Sequence, residues 1–156
     1  MSRYEQFSAV IEAWKRRDIE AVLAAMDDDI VWHYAAAVAP PARGKAKARA
    51  FLERFSATIA TIRWRIFAHA ETADTLFVEG VDEYDNVSGV TVLAPYAGVI
   101  EFKGDKIIGW RDYVWGVYWL WMPDYRDRNA LGADRPVPPV FRGEAPTDMN
   151  CVRNCI

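Results

Sequence analysis

The chain is poor in cysteine. Cys151 and Cys155 stand four apart within the last six residues, without the companions that a metal site or a disulfide framework needs, so they read as an incidental tail pair. Histidine is equally scarce. His33 and His69 are two isolated imidazoles, which do not make a metal centre, and each reads as a structural or surface residue. Neither a metal nor any other cofactor is expected. Positive charge is not in excess: Lys and Arg total 19 against 22 Asp and Glu, a net charge of -3. The cations are scattered rather than gathered into a stripe, so a nucleic-acid or anionic-membrane partner has no electrostatic footprint. The run Lys15-Arg16-Arg17 complements the dipole at a helix end.

Long apolar runs are also missing. The longest uncharged stretch, Asn86 to Ile100, contains Ser88, Gly89 and Pro95, and a membrane helix needs roughly 18 or more apolar residues. The opening residues Met1-Ser2-Arg3-Tyr4-Glu5-Gln6 carry charge where a secretion signal has its apolar core. A soluble, cytoplasmic protein is the expectation. No internal repeat is visible.

What the chain does have is apolar bulk. Over 156 residues, 52% are hydrophobic and 13% aromatic, enough for one domain with a substantial core. Phe7, Val10, Ile11 and Trp14 recur at helical spacing, predicting a first amphipathic helix over 3–16. Asp18 is a natural N-cap for a second, Ile19 to Met26, which Asp27-Asp28-Asp29 should end. The β-branched and aromatic run Ile30 to Ala35 predicts a strand. Gly44 should open a third helix, Lys45 to Ala60, with Ala50, Phe51, Phe55 and Ile59 on one side. Four long strands follow, Thr61 to Glu71, Thr75 to Tyr84, Val90 to Phe102 and Lys106 to Trp121, joined by links short enough for an antiparallel meander.

Helices followed by a curved antiparallel sheet imply an α+β fold with the helices packed on one sheet face, a cone that can enclose an apolar pocket. This domain should span residues 1–122. Five of the eight prolines lie in 123–156, which reads as a Pro-rich C-terminal tail.

Two strands carry an acid in an apolar row. Ile108, Trp110, Asp112 and Val114 share one face by the two-residue period of a strand, with Arg111, Tyr113 and Trp115 on the other. Asp is depleted in strands and is rarely buried without a partner, so Asp112 calls for a buried partner or a functional pocket. In the earlier strand Asp82 shares its row with Leu76, Val78, Gly80 and Tyr84. Asp82 could also be a solvated start of the acidic hairpin Asp82-Glu83-Tyr84-Asp85-Asn86. If both rows face one interior, two carboxylates meet in an aromatic pocket, where they cannot both ionise easily and tend to hold one proton. Keeping an Asp protonated near neutral pH takes about three units, or about 4 kcal/mol, which only desolvation or a close like charge supplies. Tyr96 and Tyr84 could add hydroxyls, although a core tyrosine with a satisfied hydroxyl is the commoner case. The outer row of the last strand, Tyr113 and Trp115 with Trp119 and Trp121 beyond, is too apolar for bare solvent and predicts a homodimer face or cover by the tail.

Gly109-Trp110-Arg111-Asp112-Tyr113, the Val81-Asp82 strand before it, and Tyr34 followed by Pro40-Pro41-Ala42-Arg43-Gly44 resemble the limonene-1,2-epoxide hydrolase family. That family belongs to the NTF2-like and SnoaL-like cone folds, with ketosteroid isomerases and scytalone dehydratase. The resemblance runs from the first helix to about Trp115. It implies that Asp82 protonates an epoxide oxygen, that Asp112 activates the attacking water, and that Tyr34 holds that water. Two parts of the pattern differ. Where the family has an asparagine this chain has Ala36, and where it has an arginine bridging the acids this chain has Gly80. Gly80 should favour a shared proton and widen the pocket. Ala36 removes a hydrogen bond that orients water, which favours an internal proton shuffle over hydrolysis. Arg63 or Arg65 could restore the charge, but their row suggests solvent.

The expectation is therefore a cofactor-independent enzyme that uses Asp82, Asp112 and Tyr34 on a small apolar molecule of terpenoid or polyketide size. Trp110, Val114, Gly80, Val78, Ala36, Tyr84 and Tyr96 should line its pocket. Epoxide opening comes first, with an isomerase, cyclase or dehydratase as the alternative. A non-catalytic ligand-binding dimer module remains a third reading, because one fold hosts many functions.

Overall fold

Helix α1 (Arg3–Lys15) forms where the apolar spacing predicts it, and Phe7, Val10, Ile11 and Trp14 are all buried. In this computed structural model, residues 1–36 and 39–114 are described. The chain divides into Met1–Trp115 and Gly116–Ile156. The expected tail, both cysteines, and Trp115, Trp119 and Trp121 lie outside the described residues.

Helix α2 (Ile19–Ala24) starts at Asp18, whose side chain accepts a hydrogen bond from the Ala21 amide. It stops two residues short of the expected Met26. The Ile107 amide donates to the Ala25 carbonyl, which captures the chain into strand β1 (Met26–His33). Asp27, Asp28 and Asp29 are therefore strand residues, not a turn, and β1 begins four residues before Ile30. Strand β2 (Ala42–Arg43) pairs antiparallel with β1. Gly44, at φ 79°, then makes a left-handed step that a side chain would resist.

Helix α3 (Lys45–Ser56) is shorter than expected, and its buried stripe is shifted. Ala48 and Leu52 are buried and Phe51 and Phe55 partly so, while Ala50 is exposed. Ile59 lies beyond it in strand β3 (Ile59–Ile62), opposite Asn86. The strand expected over 61–71 is split, because β3 pairs with the far end of strand β5 (Thr75–Asn86) while strand β4 (Arg65–Glu71) pairs with its near end. The break at Arg63-Trp64 buries Trp64.

Strands β6 (Thr91–Lys103) and β7 (Lys106–Val114) complete a seven-stranded sheet in the order β2-β1-β7-β6-β5-β3, with β4 also on β5. The meander β5-β6-β7 is antiparallel as expected, but β1 joins β7 in parallel. The architecture is an α+β cone, a curled mixed sheet with the core between its inner face and the helices. Among the described residues no helix is long and apolar enough to cross a membrane.

One irregularity sets the phase of the last strand. Glu101 pairs with Gly109 and the next residue, Phe102, with Ile107, so Ile108 is an extra residue, a bulge. Ile107, not Ile108, is the inward isoleucine on its near side, at 1% exposure. Beyond the bulge, Trp110 and Asp112 are buried and Val114 partly so. Ile107→Ala should therefore destabilise by about 2–5 kcal/mol and Ile108→Ala by clearly less in urea unfolding. The reverse order would contradict the bulge.

Candidate active site

Asp112 is the one buried charged residue among the described residues, at 5% exposure. Its carboxyl sits in an indole cage. Trp110 Nε1 donates to Oδ1 at 2.7 Å, and Trp32 Nε1 lies at 3.4 Å from Oδ2, the long limit of a hydrogen bond. The two indoles stack with centroids 5.0 Å apart. Phe7 of α1 meets the Trp110 ring edge-on at 5.0 Å. Loss of solvation pushes the Asp112 pKa up to about 7, the two indole N–H groups pull against that rise, and the charge of Asp82 adds to it. An ordinary hydrogen-bonded carboxylate would move the other way, so burial wins here.

Asp82 lies on β5 in the inward row. It is half-buried and accepts no hydrogen bond from any described residue. Loss of solvation alone pushes it up to about 7. The solvated-hairpin alternative for Asp82 does not describe it. Glu83 and Asp85 are the members of that hairpin on the outer, ion-paired side, bound to Arg63 and Arg65. Both arginines are thus committed to carboxylates other than the two inward ones. They are partly exposed rather than fully solvated, and among the described residues no cation acts on Asp82 or Asp112.

The rings around the acids form two sets. Trp32, Trp110, Trp64 and Tyr96 follow one another at 5.0, 6.2 and 5.2 Å. On the α3 side, Tyr34 stacks on Phe51 at 4.1 Å, Phe51 on Phe55 at 5.6 Å, and Phe55 meets Tyr84 edge-on at 5.4 Å. Tyr84 is half-buried, and both burial and the Asp82 charge raise its pKa. Ala36 contributes through its backbone, whose N–H donates to the Asp112 carbonyl at 2.8 Å.

The room expected at Gly80 is not there. A Cβ on Gly80 would collide with the Arg65 carbonyl oxygen and approach Tyr96 Cε1 to 3.0 Å. Gly80 admits the Tyr96 ring and the β4 backbone, so it does not widen the cone. An arginine at this position would need β4 to move. Val78 likewise packs above Gly98, where a Cβ would lie 2.8 Å from Val78 Cγ2. Val114 and Tyr34 are half-buried against the core. Among the described residues, no group of three His, Cys, Asp or Glu could hold a metal ion, and His69 is stacked on Tyr4 at 3.9 Å.

Three residues that bear on the site were missed in the sequence. Trp32 carried a signal, because it alternates with Ile30 on the buried row of β1. Phe51 was placed on the helix but not at the site. Trp64 carried a signal as well, because alternation sets it opposite the row of Arg63 and Arg65.

A curled mixed sheet closed by helices over two inward acids defines a protein of the NTF2-like fold. The chain belongs to the SnoaL-like domain family, whose model matches residues 7–110, a span that includes Asp82 and ends two residues before Asp112. An NTF2-like protein of unknown function from Burkholderia pseudomallei has the same fold at a TM-score of 0.66 and 22% identity, covering 74% of this chain and 93% of that one. An LEH-like epoxide hydrolase from M. tuberculosis matches at 0.66 and 23% identity, covering 81% and 91%. At such identities the likeness is one of fold. Separately, 51 residues are 49% identical to a (6-4) photolyase of Agrobacterium fabrum, 33% of this chain but only 10% of that protein.

The two inward acids bear on the pH dependence of stability. Both folded-state values lie above the ordinary 3.8, so between about pH 4 and 7 the folded chain binds more protons than the unfolded one. The stabilising contribution is complete below about pH 4 and is lost as pH rises through about 7. Raising the pH from about 5 to 8 should lower the Tm, with Asp112 accounting for at most about 3 kcal/mol. Asp112→Asn should flatten that slope, and a slope unchanged in the variant would contradict the assignment.

Proposed function

We propose that the chain is a cofactor-independent acid/base enzyme of the cytoplasm that acts on a small apolar molecule of terpenoid or polyketide size, opening an epoxide with Asp82 and Asp112. One observation carries this reading: both carboxyls are pushed up to about 7, and the charge of one bears on the other. Near neutral pH such a pair holds about one proton.

That proton belongs mainly on Asp82, whose anion has no hydrogen-bond donor, whereas two indole N–H groups support the Asp112 anion. Asp82 gives its proton to the epoxide oxygen as the C–O bond breaks. Asp112 takes a proton from the water that attacks the ring carbon, through Oδ2, its weakly bonded oxygen. The Tyr34 hydroxyl holds that water. The product is a diol, and proton exchange from Asp112 to Asp82 restores the pair.

Two positions favour a second reading, isomerisation, cyclisation or dehydration, in which no water enters. Ala36 offers no side-chain donor, and the space an arginine would need at Gly80 is filled. Terpenoid and aryl epoxides incubated with the protein should give diols, with kcat/KM highest near neutral pH and reduced about 10²–10⁴-fold by Asp82→Asn or Asp112→Asn. A rearranged product without water uptake would select the second reading. Ligand binding with no product at all would leave a binding module.

We further propose that the chain dimerises through the outer sheet face, where Phe77 is 47% and Tyr113 44% exposed, unusual for large rings without a cover. Sedimentation should give a dimer for the native chain and a monomer for Phe77→Arg with Tyr113→Arg. A monomeric native chain would contradict this.

A further inference from the structure

Arg111 and Glu101 form an ion pair on the face of β7 that points away from the two acids. Arg111 Nη1 donates to Glu101 Oε2 at 2.9 Å and Nη2 to Oε1 at 3.1 Å, a fork that fixes direction as well as charge. The Arg111 guanidinium holds the Glu101 carboxyl below its ordinary pKa, and Glu101 raises that of Arg111. Both are therefore charged near neutral pH. Yet the two do not stand opposite each other. Glu101 pairs with Gly109 and Arg111 with Val99, so the glutamate reaches diagonally along β7. Gly109 makes that reach possible, because a Cβ there would collide with the Glu101 carboxylate.

The interlock sits where the register of β7 is decided. Lys103 pairs with Lys106 and Phe102 with Ile107. Continued without the Ile108 bulge, that ladder would set Val99 opposite Trp110 and Ala97 opposite Asp112, turning both residues to the outer face and Arg111 inward opposite Gly98. In the bulged register the inward pairs are Ile100 with Trp110 and Gly98 with Asp112. Only there can Glu101 lie over a glycine and meet Arg111 on its own face. Arg111 is also the residue between Trp110 and Asp112, so fixing its side chain outside fixes both neighbours inside. A partly exposed pair adds little to overall stability. Its weight falls on the choice of register and on the set of the strand at the indole cage.

We infer that Glu101, Arg111 and Gly109 are positioning residues for Asp112, an outer-face clamp that holds the bulged stretch of β7 so that the carboxyl stays in its indole cage and away from water. Through Asp112 the clamp bears on the proposed reaction, and that bearing alone rests on the acid/base reading. The titratable groups that Asp112 senses or acts on from other elements are Asp82 of β5 and Tyr96 of β6. Around the clamp stand Tyr113 beside Arg111, His33 opposite it on β1, and Asp74 near Glu101. All five stay unchanged in the test.

Carboxyl carbon NMR across pH gives the Asp112 midpoint with no substrate present, so a chain that opens no epoxide still tests the clamp. Glu101→Gln, Arg111→Gln and Gly109→Ala should each lower that midpoint by at least about half a unit, because a loosened strand admits water and burial is the main cause of the rise. The Trp110 indole proton should exchange with water at least about tenfold faster in each. A field effect alone gives another pattern: losing the Glu101 charge would lower the midpoint, losing the Arg111 charge would raise it, and Gly109→Ala, which changes no charge, would leave it in place. Glu20→Gln, which breaks the remote pair with Arg49, should move neither reading. Gly109→Ala displaces only the far end of a flexible side chain, so its Tm should stay within a few degrees of native. The field-effect pattern, an equal shift in Glu20→Gln, or a large fall in Tm with midpoint and exchange unmoved would each overturn the inference. Where epoxides are turned over, kcat should fall in Gly109→Ala with KM little changed; an unmoved kcat beside a shifted midpoint would count against Asp112 as a reacting acid and not against the clamp.

Discussion

The Asp112 carboxyl inside its indole cage is the constraint to which the rest of the site answers. An ionised carboxylate taken out of water costs several kcal/mol even after relaxation, and two N–H donors offset only part of that. The result is an acid raised to about 7 instead of lowered. The cage depends on elements far apart in the chain. Trp32 arrives on β1, which reaches β7 only because the chain is captured at Ala25 and runs parallel to it. Trp110 arrives on the correct face because the Ile108 bulge resets the phase of β7. Phe7 of α1 braces the Trp110 ring.

Asp82 is raised by a different route, with burial unopposed by any donor. Two acids with similar pKa values thus have unequal surroundings, and it is on that inequality that the proposed division into donor and acceptor rests. Ion pairs elsewhere divide cleanly from the two inward acids. Arg63 and Arg65 bind Glu83 and Asp85, and Arg111 binds Glu101 across Gly109, where a side chain would collide with the Glu101 carboxylate. The strand alternation that turns Asp82 inward turns Glu83 outward, so the cations are held on the side away from the acids.

Much of this is legible in the sequence wherever a local period decides the outcome. The α1 stripe, the Asp18 cap, and the shared face of Trp110, Asp112 and Val114 follow from spacing, whereas the inward turn of Asp82 is one of two readings that spacing leaves open. What escapes is set by competition between distant segments. The expected strand over 61–71 is split because β3 and β4 claim different ends of β5, which a run of strand-forming residues does not reveal. Ile107 and Ile108 are interchangeable by composition, and only the pairing with Glu101 and Phe102 separates them. Gly80 reads as empty space in one dimension, whereas in three the Tyr96 ring and the β4 backbone fill it. The C-terminal calls, including Trp115 and the tail, lie outside the described residues.

The central claim is that two aspartates share a desolvated chamber and ionise together near neutrality. Carboxyl carbon NMR of the aspartate-labelled protein, followed from about pH 3 to 9, tests it directly. Two resonances, assigned through Asp82→Asn and Asp112→Asn, should stay protonated past pH 5 and move together around pH 7, each shifting when the other is replaced. If every aspartate has finished titrating by about pH 5, the chamber is wet and the account fails.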